Sequence, residues 1–300
     1  MAPEVAATVQ AGAPPPASPR RRGRRRRGTP WGLLALPALV FLLACFGLPL
    51  ADVVVRSLTD PSPANYLVFG KSSVYGRTLW TTLQTATIVT LVTLALGYPY
   101  AYVMHHARPR PAAVLATLVL LPFWSSVLVR SYAWAALLED AGIVNTLLLR
   151  SGLVATPLPL MRNTLGVTIG MSHILLPLMV LPTYAGMRRI DPDLVAAAGS
   201  LGARPLSAFR HVFLPLSLSG VFAGCLMVFV LSLGFFIVPS MLGSPRNAMF
   251  SELIVTEVTT LLKFGVGSAM AMVLLGVTLV LLWLGSRIVR FDDLLGYDVK

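Results

Sequence analysis

The sequence predicts an all-α, polytopic membrane protein with six transmembrane helices and both termini in the cytoplasm. Three observations carry this. Only 12% of the 300 residues are charged and 56% are apolar, against roughly 25% charged in soluble domains, and the mean hydropathy is +0.76. The apolar residues are pooled into runs long enough for membrane helices of about 20 residues. The 24 Lys and Arg outnumber the 12 acids and sit mostly just outside those runs, as flanking basic residues do in membrane proteins. Soluble, secreted and nucleic-acid-binding classes are excluded together.

Taken in order, the spans are 31–51, 78–104, 111–129, 163–187, 212–245 and 264–286, none of which contains Asp, Glu, Lys or Arg. The fifth is longer than one crossing requires. Pro215 and Pro239 confine its helix to about 22 residues in the middle. The run 141–149 is too short to cross and suits an interfacial helix. A cytoplasmic N-terminus leaves 16 Lys and Arg on the cytoplasmic side and eight on the other, as the positive-inside rule requires. Much of that asymmetry comes from the seven arginines between residues 20 and 27.

Residues 1–30 form an Arg/Pro/Ala-rich cytoplasmic tail whose composition supports no core, so disorder is expected. The transmembrane domain then covers 31–290, and 291–300 is a cytoplasmic C-terminal tail. A basic run before an apolar stretch has the form of a signal peptide, and Leu43-Ala44-Cys45 that of a lipoprotein cleavage site. The stretch continues through Leu50 and five further spans follow, so a retained first span is preferred.

Chemistry-bearing clusters are missing from the pattern. The histidines are His105, His106, His173 and His211, and Cys45 and Cys225 lie inside spans without a partner at metal-ligand spacing. No catalytic residue and no metal site is assigned. Ion-coupled transporters place charge inside the bilayer, and these spans carry none. A lone intramembrane His173 reads as a hydrogen-bonded packing residue ahead of a proton relay. Gly166 with Gly170 and Gly220 with Gly224 are small-xxx-small pairs suited to close helix packing.

The loop between the fourth and fifth spans is the most specific feature. Asp191 suits an N-cap, Pro192 the first helical position, and Asp193 the positive helix end. Leu194, Val195, Ala198 and Leu201 fall on one helical face. Gly202 can end the helix and Pro205 forbids its continuation. A short amphipathic helix on the cytoplasmic side follows, and its alanine content favours docking on a protein over lying in headgroups.

Ala197 and Ala198, Gly202 three residues on, and Val212-Phe213-Leu214-Pro215 nine residues after that resemble the Glu-Ala-Ala…Gly…Ile-x-Leu-Pro motif of ABC importer permeases. Ala196 stands where that family usually has Glu. The segment 121–134, from Leu121-Pro122-Phe123-Trp124 to Tyr132-Ala133-Trp134, is similar to the third-span signature of spermidine/putrescine-type permeases, as are 97–102, 142–145 and 236–243. The likeness is greater to the B-type subunit. The resemblance implies a type I ABC importer permease fold in a bacterial inner membrane, with coupling through the loop 188–215. It implies a second permease subunit, two ATPase subunits that bind and hydrolyse ATP, and an extracytoplasmic substrate-binding protein. The chain has no Gly-x4-Gly-Lys-Ser/Thr phosphate loop of its own, so no cofactor is assigned to it. An importer of another small solute (an amino acid derivative, opine, metal or anion) and an ion-coupled secondary transporter are the competing readings.

A polyamine path needs aromatic faces and acceptors for ammonium groups. Trp124, Tyr132 and Trp134, with Ser125 and Ser126 beside them and Glu139 and Asp140 at the outer mouth, are the candidates. An interfacial aromatic belt accounts for the same residues equally well. Arg130 is expected to pair with Glu139 or Asp140. Glu252 and Glu257, five residues apart, are expected to be two solvated carboxylates on different sides of a helix.

Overall fold

The computed structural model describes residues 31–60 and 62–288. The arginine-rich tail 1–30 and the C-terminal tail 291–300 lie outside them. Among the described residues, α1 (Trp31–Thr59) is apolar all round as far as Leu50, and its side chains between Leu36 and Leu48 are largely exposed, as lipid contact permits. Pro49, inside this helix, ends one compact unit, and Leu50 begins the second. The second unit opens with the last turns of α1, where Arg56 and Asp52 pair at 2.7 Å.

The second unit is built on α2 (Ser73–His106), α6 (Thr164–Met187) and α8 (Leu214–Leu233), which pack on one another. Ser72 caps α2 by accepting from the Val74 N–H. The buried stripe of α2 runs Thr82, Thr85, Ala86, Val89, Thr93, Gly97, Ala101 and Met104, a helical periodicity of small and hydroxyl side chains. Three buried threonines of this helix are satisfied within it: Thr82, Thr90 and Thr93 donate to carbonyls four residues back at 2.7–2.8 Å. Small residues let the backbones approach where lipid offers no hydrophobic drive. One core of Met171, Leu175, Met179, Val228, Val238 and Leu242 and a second of Met104, Val119, Val180, Met187 and Phe213 fill the bundle.

The closest crossing joins α6 to α8. A Cβ on Gly220 would meet the Pro182 carbonyl oxygen at 2.6 Å and the Gly186 Cα at 2.9 Å, and one on Gly224 the Met179 carbonyl oxygen at 2.9 Å. Gly220 and Gly224 therefore do pack a helix pair, with Gly186 as the unforeseen partner. Gly166 and Gly170 serve differently. Gly166 lies under the Leu160 carbonyl, and Gly170 under Val238 and Leu242 of the short helix α9 (Ile237–Leu242).

Five described helices are long and apolar enough to cross a membrane, and six if one bent pair counts as a span. That pair corrects the third span. The chain does not run as one helix over 111–129. It forms α3 (Pro109–Leu120), a 3-10 turn (Leu121–Trp124) and α4 (Val127–Leu138), and the segments on either side of Ser125-Ser126 meet at 97°. Pro122 opens the tight turn and Ser126 caps the new helix, accepting from the Leu128 N–H at 3.3 Å, so the bend has sequence-encoded causes. Within α5 (Ile143–Arg150), the fully buried Asn145 ties the corner: its amide donates to the carbonyls of Glu139 and Leu158, and its Oδ1 accepts from the Leu158 N–H at 2.9 Å. Asn145→Ala leaves a buried N–H and two carbonyls unpaired and is expected to cost about 1–3 kcal/mol, read as a lower thermal midpoint of the detergent-solubilised complex.

Helix α10 (Phe250–Val255) continues into a π-turn (Thr256–Thr260) before α11 (Phe264–Ile288). The expected pair of solvated carboxylates is overturned here. Glu257 is 4% exposed and accepts from the Tyr75 hydroxyl at 2.8 Å, and the Glu252 Oε1 and Glu257 Oε2 atoms are buried without a partner. Burial pushes the Glu252 carboxyl up to about 7, partly opposed by a backbone hydrogen bond from Met249. Because the folded-state value is raised, the native state holds a proton that the unfolded chain has released. Stability from this group is full below its ordinary value of 4.5 and is lost as pH rises through about 7. Glu252→Gln should flatten that fall, measured as the difference in thermal midpoint between pH 5 and pH 8.

Candidate functional site

Helix α7 (Pro192–Ser200) projects from the bundle between α6 and α8. Its start follows from its sequence: Asp191 Oδ1 accepts from the Asp193 N–H at 2.9 Å, and Pro192 occupies the first turn, where no donor is lost. Its end is a Schellman motif. The Ala203 N–H reaches the Ala198 carbonyl at 3.0 Å and the Gly202 N–H the Gly199 carbonyl at 2.9 Å, with Gly202 at φ +86°. That left-handed geometry is open to glycine and strains most other residues. Space is not the constraint, since a Cβ at Gly202 would meet nothing within 4 Å.

No residue of α7 is buried. The expected single apolar face divides in two. Val195 and Ala198 are half-buried toward the protein, whereas Leu194 and Leu201 are 49% and 89% exposed. Ala196 and Ala197 are exposed as well. The helix thus offers a largely apolar outer surface while resting on a cavity of about 600 Å³. Aromatic rings line the inner side of that cavity. Tyr102 meets Phe209 and Phe213 edge-on, each at 5.4 Å, and His105 and His106 pack around the same Phe213. The sequence pattern gave His105 and His106 no place in a metal or catalytic cluster. His106 Nδ1 does lie 3.0 Å from the Tyr102 carbonyl, but the ring cluster was missed. Its signal was there: aromatic positions 102, 105 and 106 and positions 209 and 213 each fall on one helical face.

The second half of the motif begins in a short helix (Pro205–Ala208) and widens into a π-turn over Phe209–Phe213 before α8. Pro215 has no N–H for the carbonyl four residues back and its ring crowds that carbonyl. A widened turn just before it is the local accommodation. Phe213 is buried, Val212 and Leu214 are half-buried, and Pro215 is exposed. Ala197, Ala198 and Gly202 shape the projecting helix, whereas Val212, Leu214 and Pro215 set its re-entry into the membrane.

Of the seven proposed pathway residues, six are exposed and one is not. Trp124 is 81% and Tyr132 67% exposed; Ser125, Ser126, Glu139 and Asp140 are exposed as well. Ser125 donates to the Pro122 carbonyl and Ser126 caps α4. Trp134 turns inward instead, its Nε1 donating to His173 Nδ1 at 3.1 Å, which makes His173 a hydrogen-bonded packing residue. Arg130 pairs with neither Glu139 nor Asp140. Its Nε and Nη1 are buried without a partner.

A bundle of apolar spans that holds one capped helix out from its face fits a transport permease. The chain belongs to the family of binding-protein-dependent transport system inner membrane components, whose model matches residues 110–290. It is 33% identical over 76% of its length to the spermidine/putrescine transport system permease protein PotB of Haemophilus influenzae, covering 78% of that protein. To PotB of Escherichia coli it is 33% identical over 72% of its length and 80% of that protein. Among solved structures, a chain of a bacterial alginate ABC transporter in complex with its pentasaccharide-bound periplasmic protein superposes with a TM-score of 0.71 at 17% identity. The match covers 88% of this chain and 95% of that one. This shows the same fold.

Proposed function

We propose that this chain is the polyamine-conducting permease of an ATP-driven importer in a bacterial inner membrane, coupled to its ATPase through residues 191–215. The observation that carries the coupling role is the Schellman-capped α7, with its exposed Leu194, Ala196, Ala197 and Leu201. Such a surface is stable only when something covers it, and a rigid helix seated in a partner's groove transmits a rigid-body displacement. ATP is bound and hydrolysed by two partner subunits, a second permease completes the path, and a binding protein delivers cargo from outside. Both termini are cytoplasmic, which places α7 on the ATPase side. The chain itself performs no catalysis. Polyamine cargo rests on the likeness to PotB proteins at 33% identity.

Uptake of labelled spermidine and putrescine, by cells with and without the chain and with and without a proton uncoupler, tests this. Uptake that requires the chain and survives the uncoupler is expected. Uptake that collapses with the proton gradient while ATP is held constant would contradict the mechanism. Equal uptake in the two strains would contradict the cargo.

A further inference from the structure

Of the five spans, α2 is the least apolar, and its polarity is not spread evenly. One face is the buried stripe described above. The opposite, exposed face begins with Arg77, Trp80, Gln84 and Thr87 and ends with Leu91 and Leu96. Spacings of three and four keep the polar members in one row. They line a cavity of about 710 Å³ together with Thr81 and with Arg246 from the loop after α9. A second cavity of about 480 Å³ adjoins it and shares Arg77, Thr81 and Arg246.

Such a face cannot meet hydrocarbon. The Thr87 hydroxyl is satisfied by the Leu83 carbonyl at 2.8 Å, but the exposed Gln84 amide has no such bond among the described residues. An amide without partners is costly in lipid and is tolerated where it faces water or a polar ligand. Lipid contact accounts for the cytoplasmic half of this face and fails for the outer half.

We propose that the groove along Arg77, Trp80, Thr81, Gln84 and Thr87 is this subunit's wall of the translocation path, and that Gln84 and Trp80 contact the cargo. The inference rests on the permease reading and names a site of passage on α2. Gln84 Oε1 and the Thr81 hydroxyl accept hydrogen bonds from an alkylammonium group, and the Trp80 face, 61% exposed, offers a cation–π contact. Arg77 and Arg246 at the mouth oppose entry of an unaccompanied polycation, so cations gain contacts only beyond them. The contacts that favour a polycation are therefore those of the uncharged Trp80, Thr81, Gln84 and Thr87, against the charge of Arg77 and Arg246 in the same lining.

The test replaces Cys45 and Cys225 with Ala in the full complex, introduces Gln84→Cys or Thr87→Cys, and uses Val280→Cys on α11 as the apolar reference. A membrane-impermeant cationic thiosulfonate is then applied from outside. Labelling at 84 and 87 but not at 280, slowed about tenfold by spermidine, is expected, as is a comparable loss of uptake in Gln84→Leu. Labelling at 84 and 87 that changes with ATP but is indifferent to polyamines keeps the groove as the path and overturns the polyamine reading. Labelling at neither position in any nucleotide state, with normal uptake in Gln84→Leu, overturns the groove itself.

Discussion

Gly202→Val is expected to cut ATP-driven uptake roughly fivefold to thirtyfold while the complex still assembles in the membrane. Gly202 sits at φ +86°, and a residue with a Cβ in that region costs about 1–2 kcal/mol, more if β-branched. Helix α7 has nine residues, none of them buried, so it holds little stability against which to absorb the strain. The Ala203 and Gly202 N–H bonds to Ala198 and Gly199 are lost first, and the exposed leucines are then presented on a frayed helix. Gly202→Asn is the discriminating companion. Asn tolerates the left-handed conformation, so this variant should retain most uptake. Equal loss in both variants would point to steric exclusion at the partner surface instead of cap geometry. Uptake and copurified ATPase, measured side by side, separate coupling from assembly.

The second large effect falls on the α6–α8 crossing. Gly220→Leu is expected to abolish the folded permease, and Gly220→Ala to destabilise it by about 1–3 kcal/mol. The atoms that a Cβ would meet, the Pro182 oxygen at 2.6 Å and the Gly186 Cα at 2.9 Å, belong to the backbone and cannot rotate away. Gly276→Ala is the internal control. It lies in α11 with nothing within 4 Å of its Cβ position, and replacing a helical glycine there should be neutral or stabilising by under about 1 kcal/mol. Thermal midpoints of the solubilised complex read both. A midpoint for Gly220→Ala no lower than that of Gly276→Ala would refute the crossing.

How much of this was written in the residues depends on the interaction range. The α7 helix was legible from end to end because Asp191, Pro192, Gly202 and Pro205 act on their own neighbourhood. Long apolar runs likewise announced the spans, since burial in lipid depends on local composition. The 97° break at Ser125-Ser126 was obscured by its apolar flanks, although Pro122 and two serines were a usable warning. Pairings between distant segments were out of reach. Nothing near Gly220 identifies Gly186 as its neighbour. Nothing near Glu257 reveals the Tyr75 hydroxyl 182 positions earlier in the chain, so a carboxylate that looked solvated is buried. Arg130 shows the converse: nearby acids suggested a pair that the turn of α4 does not form. Which face of a helix each aromatic of 124–134 shows was likewise out of reach: Trp124 and Tyr132 are exposed, whereas the Trp134 Nε1 donates to His173.

The central claim, that α7 is the element gripped by the ATPase, is tested most directly by a photo-crosslinking amino acid at Leu201, which is 89% exposed. The same probe at Leu153, 75% exposed in the segment between α5 and α6, is the control. Crosslinks from Leu201 to the ATPase subunit, strengthened or weakened by ATP, with none from Leu153, are predicted. An intact, ATPase-containing complex that crosslinks from Leu153 and not from Leu201 would contradict the coupling role and the orientation together.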